Sequence, residues 1–375
     1  MKYFLIAGEA SGDLHGSNLI RGILKADPGA EFRCWGGDKM KEAGAHLLVH
    51  YRSHAIMGFV NVLLNIRTIV RNLSLCKKHI IEYRPHVVIL IDYPGFNLKM
   101  AKFAKSSGFK VFYYISPKLW AWNESRVKKI KRYTDCMFVI FPFEVPFYAK
   151  HGIEARYFGN PLVDEIEKWK EKQAELKRDI RKEAGLDERE IIAILPGSRE
   201  HEVKYILPEM IKVTDHFPEY NFVIAGVTTV DKSVYKEITG SRPVKILFDS
   251  TYDLLSVSIA ALVKSGTSTL ETALFDVPQV VCYKGDSISF AIARLLVKVR
   301  HISLVNLITG REVVKELIQY MLTEEMLITS LREILPGGAE RERMLNDYRE
   351  LKNILGPAGA SERAAAEMVS CLLNN

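Results

Sequence analysis

Five aliphatic residues in a row, Val87-Val-Ile-Leu-Ile91, run straight into an acid, Asp92, and then into Tyr93-Pro-Gly95. A strand with no polar residue on either face must be covered on both, which is the condition of a central strand in a parallel sheet. Comparable runs recur at Tyr3 to Ala7, Phe32 to Trp35, Val111 to Ile115 and Met137 to Phe141. They return at Ile191 to Leu195, Phe222 to Ala225, Val244 to Leu247, Ala260 to Val263 and Val280 to Cys282. Helical patterns at Leu14 to Ala26, Gly58 to Tyr83 and Leu98 to Ser107 separate the early runs, so the chain reads as repeated βαβ units.

The strand pattern stops and restarts around Asp164 to Glu190, a dense mixture of Glu, Lys, Arg and Asp with few apolar residues. That stretch is expected to be an exposed connecting segment (164–190), with one domain over 1–163 and a second beginning at 191. A length of 375 residues suits two domains at roughly 150 residues each. The expected fold is therefore α/β, two Rossmann-like domains in tandem, whose parallel sheets leave a cleft between the carboxyl ends of their strands.

Several classes of protein are excluded. A hydrophobic content of 48% with 26% charged residues describes an ordinary globular chain. No stretch of about 18 apolar residues is present to span a bilayer, and the apolar start, Met1 to Ala7, is too short for a secretory signal. A cytoplasmic location is expected. The five cysteines (Cys34, Cys76, Cys136, Cys282, Cys371) include no C-x-x-C pair and read as reduced packing residues. The net charge of +7 is mild, yet Lys99 to Arg132 holds ten basic residues against one acid, Glu124. Such a run is either a solvated helix face or a seat for an anionic partner.

The turns after the strands carry the chemistry. After the first come glycines 8, 12 and 16 with two acids, Glu9 and Asp13, in a spacing that is not G-x-G-x-x-G. Acids there would repel a pyrophosphate; they suit sugar hydroxyls or a helix cap. Asp92 is either a cap or a general base that takes a proton from a hydroxyl nucleophile. Tyr113-Tyr-Ile-Ser-Pro-Lys-Leu-Trp-Ala-Trp122 offers tryptophans for a sugar ring or for packing. In the second half, Ser198 and Arg199 in Leu195-Pro-Gly-Ser-Arg199 suit a phosphate. Ser265-Gly266-Thr267 opens a helix with free N–H donors for a diphosphate, and Glu271 can reach ribose hydroxyls or solvent. Asn306 fits a uracil edge or a phosphate oxygen. No D-x-D pair, H-E-x-x-H, Walker motif or G-x-S-x-G elbow occurs, so a metal-free reaction with no cofactor is expected.

Ala7-Gly-Glu-Ala-Ser-Gly-Asp13, Met57-Gly58, Ile91-Asp92 with Phe96-Asn97, Ser116-Pro117 with Trp120-Ala-Trp122, Leu195-Pro-Gly-Ser-Arg199, Ser265-Gly-Thr267 with Leu270-Glu271, and Asn306 with Gly310-Arg311-Glu312 stand in an order that resembles the lipid-A-disaccharide synthase family. The resemblance runs to about Gln319. It implies a GT-B fold and an inverting transfer of 2,3-diacylglucosamine from UDP to 2,3-diacylglucosamine 1-phosphate, with UDP released. It assigns the general base to Asp92, keeps Glu9 and Asp13 on sugar hydroxyls, and gives nucleotide contacts, Arg311 among them, to a second domain of 191–345. A C-terminal helix over 346–375 is then expected to pack back on the first domain.

Acylated substrates imply an anionic inner-membrane surface and a peripheral protein. The segment containing Phe59, Val62, Leu63, Ile66, Arg67 and Arg71 is more apolar than one buried helix face requires and carries cations, so it is expected to lie in the membrane interface or to be buried between domains. Competing readings are a UDP-sugar 2-epimerase, which would not need such a helix, and a non-catalytic nucleotide-sugar or nucleic-acid binder. The run from Arg126 to Arg132 lacks interleaved aromatics to stack bases, so no nucleic acid is expected. Oligomeric state, a homodimer included, stays open.

Overall fold

The computed structural model describes residues 1–53, 66–117, 119–122, 124–176, 179–286, 290 and 299–374. The chain divides into two units, Met1–Asp164 with Pro357–Asn375, and Glu165–Gly356. Every strand pairing in both is parallel.

In the first unit the strands are β1 (Lys2–Ala7), β2 (Glu31–Gly36), β3 (His46–His50), β4 (Val87–Ile91), β5 (Lys110–Tyr114), β6 (Cys136–Val139) and β7 (Ala155–Tyr157), in the order β3-β2-β1-β4-β5-β6-β7. The chain winds outward from β1 to β3 and then returns to start the other side at β4. This reversal point lies between β1 and β4, where loops leave the sheet in opposite directions and open a crevice. Residues alternate between two cores, as the pleat requires. Tyr3, Leu5, Val87 and Ile89 pack with Leu19, Ile23 and Met368, whereas Phe4, Ile6, Val88 and Leu90 pack with Ile80, Met100 and Ile130.

The second unit repeats the plan with β8 (Ile191–Leu195), β9 (Asn221–Gly226), β10 (Lys245–Phe248), β11 (Ser258–Lys264), β12 (Gln279–Tyr283) and β13 (Lys315–Ile318), in the order β10-β9-β8-β11-β12-β13. Its reversal point lies between β8 and β11, where Leu195 pairs with Val263.

Three strands escape the sequence reading: β3, β7 and β13, all at sheet edges. The helix read from Leu98 starts earlier, as Pro94–Ser106, with Pro94 in its first turn directly after Tyr93. Asn306 lies on a short helix, Leu304–Thr309, where the Ser303 hydroxyl accepts from its N–H at 3.2 Å. The charged stretch is largely helical (Pro161–Leu176 and Ile180–Ala184), and the units part within it, at Asp164. Nor does the return begin at 346: helix Arg341–Leu355 stays with the second unit, and only the chain from Pro357 joins the first. There Asp164 caps helix Ala360–Leu373 by accepting from the N–H groups of Gly359 (2.7 Å), Ala360 (3.1 Å) and Ser361 (3.0 Å).

Candidate active site

At the first reversal point Asp92 and Tyr93 both adopt left-handed backbone, φ 44° and 50°. Each such residue with a side chain costs roughly 1–3 kcal/mol, so the surroundings must hold it. They do. The Asp92 N–H donates to the Tyr114 carbonyl at 3.2 Å, and the Asp92 carbonyl accepts from the Tyr113 hydroxyl and the Asn97 amide, both at 2.8 Å. The same buried Asn97 amide reaches the carbonyls of Ile91 (3.2 Å) and Ile6 (3.4 Å), which ties β4 to β1. The Tyr93 ring lies on Gly8, where a Cβ would stand 2.3 Å from ring carbon, so only glycine fits there. The Asp92 carboxyl is left half-buried at the carboxyl end of the sheet.

Glu9, half-buried after β1, accepts from the Ser11 hydroxyl at 2.6 Å. Asp13 has another occupation. Only 4% exposed, it accepts from the N–H groups of Gly37 (2.8 Å), Lys39 (3.1 Å) and Met40 (3.1 Å) and so caps helix Asp38–Glu42. With three backbone donors on two oxygens, it holds the β2 turn instead of facing a sugar. Trp120 likewise is 9% exposed, and its indole donates to Glu144 Oε1 at 3.1 Å. Glu144, itself 1% exposed, is pushed up to about 7 by burial, opposed by hydrogen bonds from the Phe141 N–H, Trp120 and Ser116.

The second reversal point opens into a cavity of about 480 Å³. Gly197, at φ 112°, lets the chain turn off β8; a Cβ there would meet Glu202 Oε2 at 2.6 Å. Glu202 accepts from Lys264 Nζ at 2.7 Å and from the Ser198 N–H at 3.2 Å. Burial alone would raise this carboxyl, but the hydrogen bond and charge of Lys264 outweigh it and hold Glu202 below the usual carboxylate range. Gly266, Thr267 and Ser268 bring the amino end of helix Thr267–Leu274 to the wall, with its unpaired N–H groups. Glu271, one turn further along the same helix, also lines the cavity, raised by burial against hydrogen bonds from Tyr252 (2.8 Å) and Ser268. Trp169 closes one side, its indole donating to Asp253 at 3.0 Å.

Ser198, Gly266, Thr267 and Glu271 thus share one cavity, with exposed Arg199 next in sequence and 4.0 Å from Glu202. Three other expected contacts are engaged elsewhere. The Ser265 hydroxyl donates to the Ile302 carbonyl at 2.9 Å. Asn306 is fully buried; its amide donates to Val314 and Glu316 while its oxygen accepts from the Val313 and Val314 N–H groups, so no capacity remains for a base edge. Arg311 forks onto Asp347 and Glu350 at 2.6 and 2.8 Å. Glu202, Lys264, Tyr252 and Ser268 enter unannounced. Of these only Lys264 had a visible signal, a cation directly before the Ser-Gly-Thr turn.

Of the apolar, cationic segment, Phe59, Val62 and Leu63 lie outside the described residues, and Ile66 opens the helix Ile66–Tyr83. On that helix Arg67 and Arg71 are exposed, together with Val70, Leu75 and Ile81. No helix among the described residues is long and apolar enough to cross a membrane.

Residues 3–368 match the sequence profile of the lipid-A-disaccharide synthetase family. The chain belongs to that family. Lipid-A-disaccharide synthases of Syntrophus aciditrophicus and Trichlorobacter lovleyi are each 38% identical, covering 96% and 98% of this chain and 95% and 97% of their own. The chain is therefore a glycosyltransferase of lipid A biosynthesis. Among solved structures, UDP-GlcNAc 2-epimerases from Neisseria meningitidis (TM-score 0.64, 15% identity) and Methanocaldococcus jannaschii (0.65, 14%) superpose over the full length of both chains. At that identity they show the fold alone, the GT-B arrangement of two Rossmann-like domains.

Proposed function

We propose that this chain transfers 2,3-diacylglucosamine from UDP-2,3-diacylglucosamine to the 6-hydroxyl of 2,3-diacylglucosamine 1-phosphate, inverting the anomeric centre and releasing UDP. The observation that carries the reading is that each unit has its own site at its sheet reversal point, in a chain of this family. One holds a carboxylate on a braced turn; the other is a cavity whose wall is a helix amino end beside a lysine. Asp92 takes the proton of the attacking hydroxyl, while Glu9 orients the acceptor's other hydroxyls. The UDP diphosphate leaves against Lys264, Arg199, Ser198 and the N–H groups of Thr267 and Ser268, which neutralise the charge that develops on it. Glu202 holds Lys264 and the Ser198 amide in place for that task. Tyr252 and Glu271, hydrogen-bonded to each other in the same cavity, suit ribose hydroxyls.

The exposed mixture of Val70, Leu75 and Ile81 with Arg67 and Arg71 supports a peripheral seat on an anionic membrane, where cations meet headgroups and apolar side chains meet tails. Replacing Val70 and Ile81 together with Ser should weaken sedimentation with anionic liposomes several-fold; unchanged sedimentation of the folded variant would remove the helix from that role. The reaction itself is tested by UDP release from UDP-2,3-diacylglucosamine, with and without the acylated sugar phosphate. Release that needs the acceptor and yields the disaccharide supports transfer, whereas acceptor-independent release or epimerisation overturns it.

A further inference from the structure

The basic run from Lys99 to Arg132 does not fold into one uniform face. Lys105 pairs with Asp135 at 2.5 Å, Lys131 donates to the His151 carbonyl at 3.1 Å, and the Arg132 guanidinium lies over the Tyr133 ring. Lys99, Lys102, Arg126 and Lys129 instead converge on a groove of about 280 Å³ formed by helices Pro94–Ser106 and Val127–Tyr133 and the turn before the latter. No acid lines it. Among the described residues, Lys99, Lys102 and Lys129 have no carboxylate within 4.0 Å. Leu98 and Tyr133 give the groove an apolar side. Like charges gathered around a concavity repel one another, and a bound anion relieves that repulsion.

Position narrows which anion. Pro94, at the groove's near end, follows Asp92 by two residues, at most ~7 Å of backbone. We propose that this groove seats the phosphate monoester of the acceptor, an assignment that rests on the transfer reaction proposed above. In a hexopyranose C1 and C5 both flank the ring oxygen, so the 1-phosphate and the 6-hydroxyl are held a short, fixed distance apart. An anion seat a short step from Asp92 therefore fixes that hydroxyl against the carboxylate. A phosphomonoester carries close to two charges at neutral pH and three acceptor oxygens, which several lysines satisfy as mobile point charges. The apolar side meets the sugar's carbon face.

The test is steady-state kinetics of wild type and of the Lys99→Gln/Lys102→Gln and Lys129→Gln variants, on the phosphorylated acceptor and on its phosphate-free counterpart. The acceptor KM should rise roughly tenfold or more in the variants, with the donor KM within twofold. On the phosphate-free acceptor, variants and wild type should become equal. Equal losses on both acceptors would overturn the assignment. So would reduced sedimentation with anionic liposomes at unchanged acceptor KM, which would give the groove to phospholipid headgroups. Titration with glucosamine 1-phosphate supplies a readout independent of turnover: wild type should bind it and the double variant should bind it at least tenfold more weakly, with equal affinities counting against the seat. Binding of that probe by a wild type without acceptor-dependent UDP release would sink the transferase reading and leave the anion seat standing.

Discussion

The two sheets share one strand order, yet their reversal points are built from opposite materials. At the first, residues with side chains, Asp92 and Tyr93, occupy left-handed backbone, and the strain is held by Asn97, Tyr113 and the flat contact of Tyr93 on Gly8. At the second, the left-handed residue is a glycine, Gly197, which follows the other strand of the pair, β8, and the wall is backbone N–H, hydroxyl and one half-buried lysine–glutamate pair. The difference fits the role proposed for each. A base needs a carboxylate at one fixed position, which only a side-chain-bearing residue supplies. An anion seat needs bare backbone, which glycine exposes at no steric cost.

That contrast can be broken in either half. Asp92→Ala should lower kcat about a thousandfold or more while UDP affinity, measured by calorimetry, stays within a few-fold. Near-normal turnover would remove the base from the first half. Gly8→Ala should displace Tyr93 and with it Asp92, costing on the order of a hundredfold in turnover, again without loss of UDP binding. If UDP binding fell equally, the two halves would not be separable. Lys264→Ala should do the reverse, weakening UDP roughly tenfold or more while leaving the acceptor KM near wild type. Loss confined to the acceptor would exchange the roles assigned to the two reversal points.

The smallest effect concerns stability. Folded, Glu144 is held at about 7 against an ordinary value of 4.5, so between those values the folded chain binds a proton that the unfolded chain has lost. Stability should then fall as pH rises from about 4.5 to about 7, by at most about 3 kcal/mol. Glu144→Gln should flatten that slope in urea denaturation; an unchanged slope would place its cause elsewhere.

Much of the fold was legible because β1, β4, β8 and β9 are buried on both faces and spell themselves out in aliphatics. β3, β7 and β13 were not, since an edge strand is half-covered and keeps polar residues such as His46, Arg156 and Lys315. In the site, side chains beside a Gly turn were readable as cavity residues. The Lys264–Glu202 pair was not, because 62 residues separate its partners and only the sheet order brings them together. Asp13 and Asn306 were legible as polar residues near turns, but nothing local tells a carboxylate or amide that faces a ligand from one consumed by its own backbone.

The first unit is discontinuous, and this governs how the protein is made. Helix Ala360–Leu373 packs so closely on helix Ala10–Ala26 that a Cβ at Gly22 would stand 2.8 Å from Ala365. The opening strands thus leave the ribosome roughly 350 residues before their last covering helix, and the Gly22 face of helix Ala10–Ala26 waits uncovered while the second unit is synthesised. A stop codon or frameshift at about Pro357 would release a chain whose second unit is whole and whose first is open on one face. Such a product should be recognised by chaperones and proteases at its amino end, though the lesion lies at the other.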